Sequence, residues 1–506
     1  MASLVVLVPG VAGADRSPTP LEESLNRQTR SAWRLAHAGD EGLTLTADDV
    51  VIHLDGGARL PPDACEVILA ALADHPEAVA LYGDVRVGDH RRPRPAWSPT
   101  RVQSEPGASL PVAVRAGWPP FDPQDEPGAI EQKLADAHAP VLHLPLVLSS
   151  HPTPLVPPTT PLPDDPRFEP GGRPGTRRRR PSPGGQASVS VIIPSAGFAQ
   201  PGDPTSMLTR CLQSLGGLEP PPLEVIVVVG EEFRGDPPRS HPRPAVRVVD
   251  RGTGPFDFSR AVNRGLLAAR GELVLLLNDD IEAESSDWLG RMAAHLDDPG
   301  VGAVGAALLY PDHTVQHAGM VIADGHPLHP FQRALLEHTA AHGGDVARDV
   351  ISVTGACLLA RRRDLLALGG MSEVFPLSFG DVDLCLRLRR RGLRVVVEPS
   401  ATLIHHESAS RTPVVEAWEW ERFVYRWGHL DDPWYHPAYW RTNDPDALTA
   451  NADHRDPVDQ HGTWPARSTT VPSRIHAAQT NLPPLAAPIN WPPECTRAGH
   501  SLGSRR

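Results

Sequence analysis

Residues 271–280 read Gly-Glu-Leu-Val-Leu-Leu-Leu-Asn-Asp-Asp, an aliphatic run that gives way at once to acid. A strand without alternation is buried on both faces, so it needs a sheet covered by helices on each side. VSVIIPS (189–195) and LEVIVVVG (223–230) repeat the pattern, and between them Met207, Leu208, Cys211, Leu212 and Leu215 recur at helical spacing. Ser259 to Arg270 reads as another helix, closed by Gly271. Alternating strand and helix predicts an α/β sheet, and open sheets of this kind bind ligands beyond the carboxyl ends of their strands. Asn278, Asp279 and Asp280 stand at that rim.

Acid at a rim suits a hard cation. Oxygen ligands such as Asp280 fit Mg²⁺ or Mn²⁺, which can bridge two phosphates and neutralise a diphosphate leaving group. A strand ending in such a run is also what a solvated loop looks like, and a second cluster weighs against that reading. FGDVDLCLRLRRRGLRVVV (379–397) sets Asp381 and Asp383 at the start of a helix with Leu384 and Leu388 on its apolar face and Gly392 as its C-cap. The amino end of a helix favours an ionised carboxylate, as a general base requires, although both aspartates could simply cap the helix. The strand ATLI then leads to His405, His406 and Glu407, where imidazole offers a further metal ligand.

Bulk properties narrow the function classes. The 506 residues carry 48 Lys and Arg against 61 Asp and Glu, a net charge of −13, which gives no support to nucleic-acid binding. The five cysteines lack metal-site or disulfide-framework spacing, which fits a reducing, cytoplasmic setting. The amino terminus has no basic region before its short apolar run, and no stretch reaches a membrane-spanning length. Residues 151–187 are rich in Pro, Gly and Arg and read as a linker. Its Arg177–Arg180 run is expected to be solvated or to touch an anionic membrane surface peripherally. Residues 450–506 read as a disordered tail.

The strings VSVIIPS, PFDFSRAVNRGLLAARGELVLLLNDDIE, VQHAGMVI, VTGACLLARR, FGDVDLCLRLRRRGLRVVVEP and LIHHESASR, in that order, resemble glycosyltransferase family 2, in the branch that makes O-antigen and related surface polysaccharides. The resemblance implies a GT-A fold over residues 188–449 and inverting transfer from a nucleotide-sugar donor to a glycan or lipid-linked glycan. It implies Asp280 and His405 (before His406) as metal ligands, Asp381 as general base, and Asp383 as its support or an acceptor contact. Pro194, Asn263, Asn278 and Asp279 would face the donor. The family's nucleoside-binding aspartate is replaced by Val229, with Glu231 or Glu232 as the substitute, and SAGFAQPGDPT replaces the compact turn after the first strand. His317 could line the acceptor side, and Trp434, Tyr435, Tyr439 and Trp440 could stack on sugar. A carbohydrate-binding scaffold that keeps the fold without the chemistry is the alternative; a nucleotidyltransferase leaves the 379–411 motifs unexplained.

Residues 1–150 resemble a decayed copy of the same fold. ASLVVLVPG matches the first strand and VVIHLDGG the metal strand, but the acidic positions read Asp55, Gly56, Gly57. No base motif is evident in PGAIEQKLADA, and the strand expected between Trp33 and Thr44 looks shortened. This half is expected to be folded and inactive.

Overall fold

A computed structural model describes residues 2–434 except 9–17, 38–39, 41, 89, 93, 95, 108–109, 153–164, 182–186, 199–204, 234–243, 324, 407–414, 431 and 433. Beyond 434 it describes His476 and Ala477, which pair with the edge strand at His143 and Leu142. The remainder of the expected tail, with Glu407, Tyr435, Tyr439 and Trp440, lies outside the described residues.

The aliphatic runs form two sheets. The first contains β1 (Leu4–Val8), β2 (Trp33–His37), β3 (Val50–His53), β4 (Ala80–Val87), β5 (Ala113–Arg115) and β6 (Val141–His151), in spatial order 2-1-3-5-4-6. The second contains β7 (Val189–Pro194), β8 (Glu224–Val229), β9 (Val246–Asp250), β10 (Leu273–Leu277), β11 (Val301–Leu309), β12 (Cys357–Arg361) and β13 (Arg394–His405), in order 9-8-7-10-12-11-13. Pairing sense matches strand for strand. β1 is parallel to β2 and β3 as β7 is to β8 and β10, while β5 and β12 each run antiparallel to both neighbours. The last pairs, β4 with β6 and β11 with β13, are parallel.

One side chain marks this correspondence. Arg115 pairs with Val50 and donates to the carbonyls of Leu72, His75 and Ala78; Arg361 pairs with Leu273 and donates to those of Leu296, Asp298 and Val301. In each sheet an arginine thus ties its strand to the end of an earlier helix and to the start of the strand that follows that helix, satisfying carbonyls the helix leaves open.

In the second half, apolar side chains alternate between two layers, as strand geometry requires. Val191, Val225, Leu275 and Val304 face one core, with Cys211, Trp288 and Met292 from covering helices; Ile192, Ile226, Leu276 and Val395 face the other, with Val262, Leu384 and Leu388. The helix read over 259–270 runs from Phe258 to Ala268 and ends where Ala269 turns extended. Gly271 does not close it. It lets the chain pass β7, since a Cβ there would lie 2.6 Å from the Ser190 nitrogen.

The linker expectation fails over residues 165–181. Phe168–Pro170 and Arg177–Arg179 form an antiparallel hairpin, and Arg177 and Arg179 are buried and not solvated. Arg177 donates to the Gln103 carbonyl and to Gln132 (2.8 Å), and Arg179 to the Ala294 carbonyl (2.9 Å). The guanidinium of Arg177 also lies 4.3 Å from the centre of the Phe168 ring. Composition suggested a connector because the carbonyls that satisfy these arginines come from distant parts of the chain. Arg178, paired with Glu169, and Arg180 stay exposed. Among the described residues no helix is long and apolar enough to cross a membrane.

A buried polar knot joins the halves. Asp349 accepts from Ser98 Oγ (2.6 Å), Thr100 Oγ1 (3.0 Å) and Arg394 Nη1 (2.8 Å), and Arg394 also pairs with Asp298. Removing one partner of a buried ion pair typically costs about 3 to 5 kcal/mol, because the other charge stays desolvated. Asp349→Ala is therefore expected to lower stability by about 3 kcal/mol in denaturant titration of the full chain, with Asp349→Asn losing less. An Asp349→Ala protein as stable as the parent would contradict the role given to the knot.

Candidate functional site

Both acidic clusters open onto one cavity of about 490 Å³ at the carboxyl ends of β7 and β10. Pro194, Glu232, Asn278, Asp279, Asp280, Thr354, Gly355, Asp381 and His405 are in its wall. The aliphatic strand β10 ends at Leu277, and the Asn278 N–H donates to the Ala356 carbonyl (2.9 Å), which fixes where the acidic residues emerge. The short strand Ile281–Ala283 pairs antiparallel with β13, Ile281 opposite His405, and so brings that histidine beside Asp280.

The two aspartates differ in environment. Asp279 accepts from Ser195 Oγ at 2.5 Å; burial pushes its carboxyl up to about 6, and the serine bond only partly offsets this. Burial acts to raise Asp280, but His405, a backbone hydrogen bond and His406 together outweigh it and hold that carboxyl below the usual range. His405 Nε2 lies 3.1 Å from Asp280 Oδ1, an ion-pair distance without hydrogen-bond alignment, so Oδ1 is buried with no hydrogen-bond partner among the described residues. A buried carboxylate oxygen left in that state fits a cation. Among the described residues no third carboxylate, thiol or imidazole completes a cage. Two protein ligands suit a Mg²⁺-like ion whose other positions go to phosphate and water.

Across the cavity, Asp381 sits in the first turn of the helix Gly380–Arg390, as the sequence predicts. Its Oδ2 accepts from the Gly355 N–H at 2.7 Å and its Oδ1 from the Val382 N–H at 2.8 Å. Gly355 allows this approach, because a Cβ there would lie 3.3 Å from the Asp381 Cβ. A carboxylate held by two backbone donors keeps further lone pairs for an incoming hydroxyl.

Other expected site residues lie elsewhere. Asp383, two residues on in the helix, faces inward, fully buried; it pairs with Arg387 (2.7 Å) and Arg426 (3.0 Å) and accepts from the Trp427 indole (3.0 Å). It anchors the helix Ala417–Trp427 and is not in the cavity wall. Asn263 clamps Met371 through its backbone N–H and carbonyl and stays out of the cavity wall. Glu231 is also absent from the wall, where Glu232 stands instead. His317 is buried, bonded to His329 (3.0 Å) and accepting from the Gly319 N–H (3.3 Å), and burial drives its protonated form well below the ordinary range. It also accepts from the N–H of Thr354 (3.4 Å), a residue of the cavity wall, without itself standing in that wall. Trp434 donates to the Trp97 carbonyl (3.0 Å) beneath Arg389, a contact between the halves. His406 faces Glu282 at 3.3 Å, leaving His405 as the histidine at Asp280.

Sequence reasoning missed Ser195, which holds Asp279, and Gln316, whose Oε1 meets His405 Nδ1. Strand alternation held the signal for Gln316: it points opposite to its neighbour His317. In the first half, β6 ends at His151, which lies 3.4 Å from Asp55 and 3.0 Å from Ser149 Oγ, while Gly56 and Gly57 stand where a carboxylate would be needed.

The second half of the chain is similar to known proteins. Residues 186–428, which span the whole second sheet, match the model "Glycosyltransferase like family 2". The chain is 40% identical over 213 residues to the uncharacterized protein y4gI of Sinorhizobium fredii, covering 38% of this chain and 22% of that one. It is 42% identical over 191 residues to the O-antigen biosynthesis protein RfbC of Myxococcus xanthus, covering 36% and 15%. It is 29% identical over 235 residues to an N-acetylglucosaminyl-diphospho-decaprenol L-rhamnosyltransferase of Mycobacterium tuberculosis, covering 41% and 74%. The matched stretches thus span under a quarter of y4gI and of RfbC.

Proposed function

With residues 186–428 forming a glycosyltransferase domain of family 2, we propose that the chain transfers a sugar from a nucleoside diphosphate to a hydroxyl of a glycan, free or lipid-linked, in surface-polysaccharide synthesis. The observation that carries this is the shared cavity, with Asp280 and His405 on one wall and Asp381 on another. A bound Mg²⁺ or Mn²⁺, held by Asp280 and His405, would neutralise charge developing on the departing diphosphate.

The chain's own residues do the rest. Asp381 takes the proton of the acceptor hydroxyl, and that oxygen attacks the anomeric carbon as its bond to the diphosphate breaks. The nucleoside diphosphate leaves with the electron pair. Attack from the face opposite the leaving group inverts the anomeric centre. The nucleoside extends along the strand ends from β10 to β8, two strand spacings or roughly 10 Å. There Glu232, tied through Oε2 to the buried Arg251 (2.5 Å), takes the place that Val229 vacates; its Oε1 has no partner among the described residues. Phe198 and Phe256 in the same wall offer faces for a base.

Residues 1–150 are, on this reading, a second copy of the sheet that has lost its chemistry, since the position of Asp280 is a glycine there. The knot at Asp349 makes this half a support for the catalytic half. A panel of nucleoside diphosphates with Mn²⁺, read by thermal shift, tests the function without knowledge of the acceptor. At least one should raise the unfolding temperature in a Mn²⁺-dependent way; no shift with UDP, dTDP, GDP, ADP or CDP contradicts the proposal.

A further inference from the structure

We propose that Gln316 is a positioning residue for the metal: it fixes which nitrogen of His405 carries the proton and so presents the lone pair of Nε2 toward Asp280. This rests on the reading of Asp280 and His405 as the metal's ligands. Gln316 lies on the short strand Val315–His317, which pairs with β11, the same strand that runs beside β13 and its terminal His405. Both side chains are buried, and Gln316 Oε1 makes a short contact with His405 Nδ1.

A carbonyl oxygen can only accept, so in a neutral ring the proton must sit on Nδ1 and Nε2 is left as a ligand. Nε2 is the nitrogen that lies 3.1 Å from Asp280 Oδ1. The remaining neighbour, Asn278 Nδ2, stands 3.5 Å from Nε2, too far to hold the ring by itself. The amide orientation places its oxygen toward the ring. The opposite one would put an N–H against Nδ1, move the ring proton to Nε2, and turn a donor on the metal position. A ligand histidine anchored through its other nitrogen is the common arrangement around bound metals, and losing the anchor typically costs 10- to 100-fold in affinity.

Two measurements on the full chain test this. Mn²⁺ binding is followed by electron paramagnetic resonance, with the metal alone and with inorganic pyrophosphate, for the parent, His405→Ala, Gln316→Leu, Gln316→Met and Gln316→Glu. The protonated nitrogen of His405 is read from ¹⁵N-histidine NMR in the absence of metal. Gln316→Leu and Gln316→Met should weaken Mn²⁺ about 10- to 100-fold and move the proton off Nδ1. Gln316→Glu keeps an acceptor and should retain parental affinity and the Nδ1–H form. Leu and Met together guard against one variant failing to fold. Affinity within twofold of the parent in either folded variant, while His405→Ala loses binding, overturns the inference and leaves the site reading intact. Equal binding by the parent and His405→Ala overturns the ligand assignment itself, and the inference with it.

Discussion

Asp280→Ala is expected to reduce sugar transfer and donor hydrolysis by at least about 10³-fold, equivalent to roughly 4 kcal/mol of lost charge stabilisation at the leaving group. Asp280 is the carboxylate whose oxygen is buried without a hydrogen-bond partner among the described residues, and it is held below the usual carboxylate range. Its neighbour is already engaged: Asp279 accepts from Ser195, and burial raises its carboxyl. No residual activity should come from the first half, where the same position is Gly57. Turnover measured with Mg²⁺ or Mn²⁺, and again in chelator, checks this. Full activity of the variant, or of the parent in chelator, contradicts the metal role.

Asp381→Asn should keep nucleotide affinity close to the parent and lose transfer by roughly 10² to 10⁴-fold, the usual worth of a positioned base. The amide preserves shape but cannot take a proton. Asparagine can accept through only one of its two terminal atoms, so either the Gly355 or the Val382 N–H loses its acceptor. That costs about 1 kcal/mol of stability, small beside the catalytic loss. Affinity and turnover are to be measured on one preparation. If binding and turnover fall together, Asp381 is a structural cap.

The rim of the second sheet was readable because its signal is local. The run Asn278–Asp280 follows five aliphatic residues, and Asp381 opens a helix with a clear apolar face, so backbone periodicity alone delivers both acidic groups to the correct end. Asp383 shows the limit of that signal. It shares the motif and the first turn with Asp381, yet two residues along a helix turn the side chain by about 200°, and its partners Arg426 and Trp427 come from a helix more than forty residues away. Glu231 and Glu232 are likewise indistinguishable by spacing; the buried Arg251 at the end of β9 decides which of them turns to the cavity. The hairpin at 165–181 was hidden for the same reason, since Arg177 and Arg179 are buried only by virtue of carbonyls and amides at Gln103, Gln132 and Ala294.

The most direct test of the central claim is turnover of a nucleotide-sugar panel by the full chain, scored as release of nucleoside diphosphate in Mn²⁺ for the parent, Asp280→Ala and Asp381→Asn side by side. The mechanism requires release by the parent from at least one donor, loss of that release in Asp280→Ala, and, once an acceptor is supplied, loss of transfer with retained donor binding in Asp381→Asn. Release at parental rates by both variants would show that this cavity is not where the sugar bond breaks.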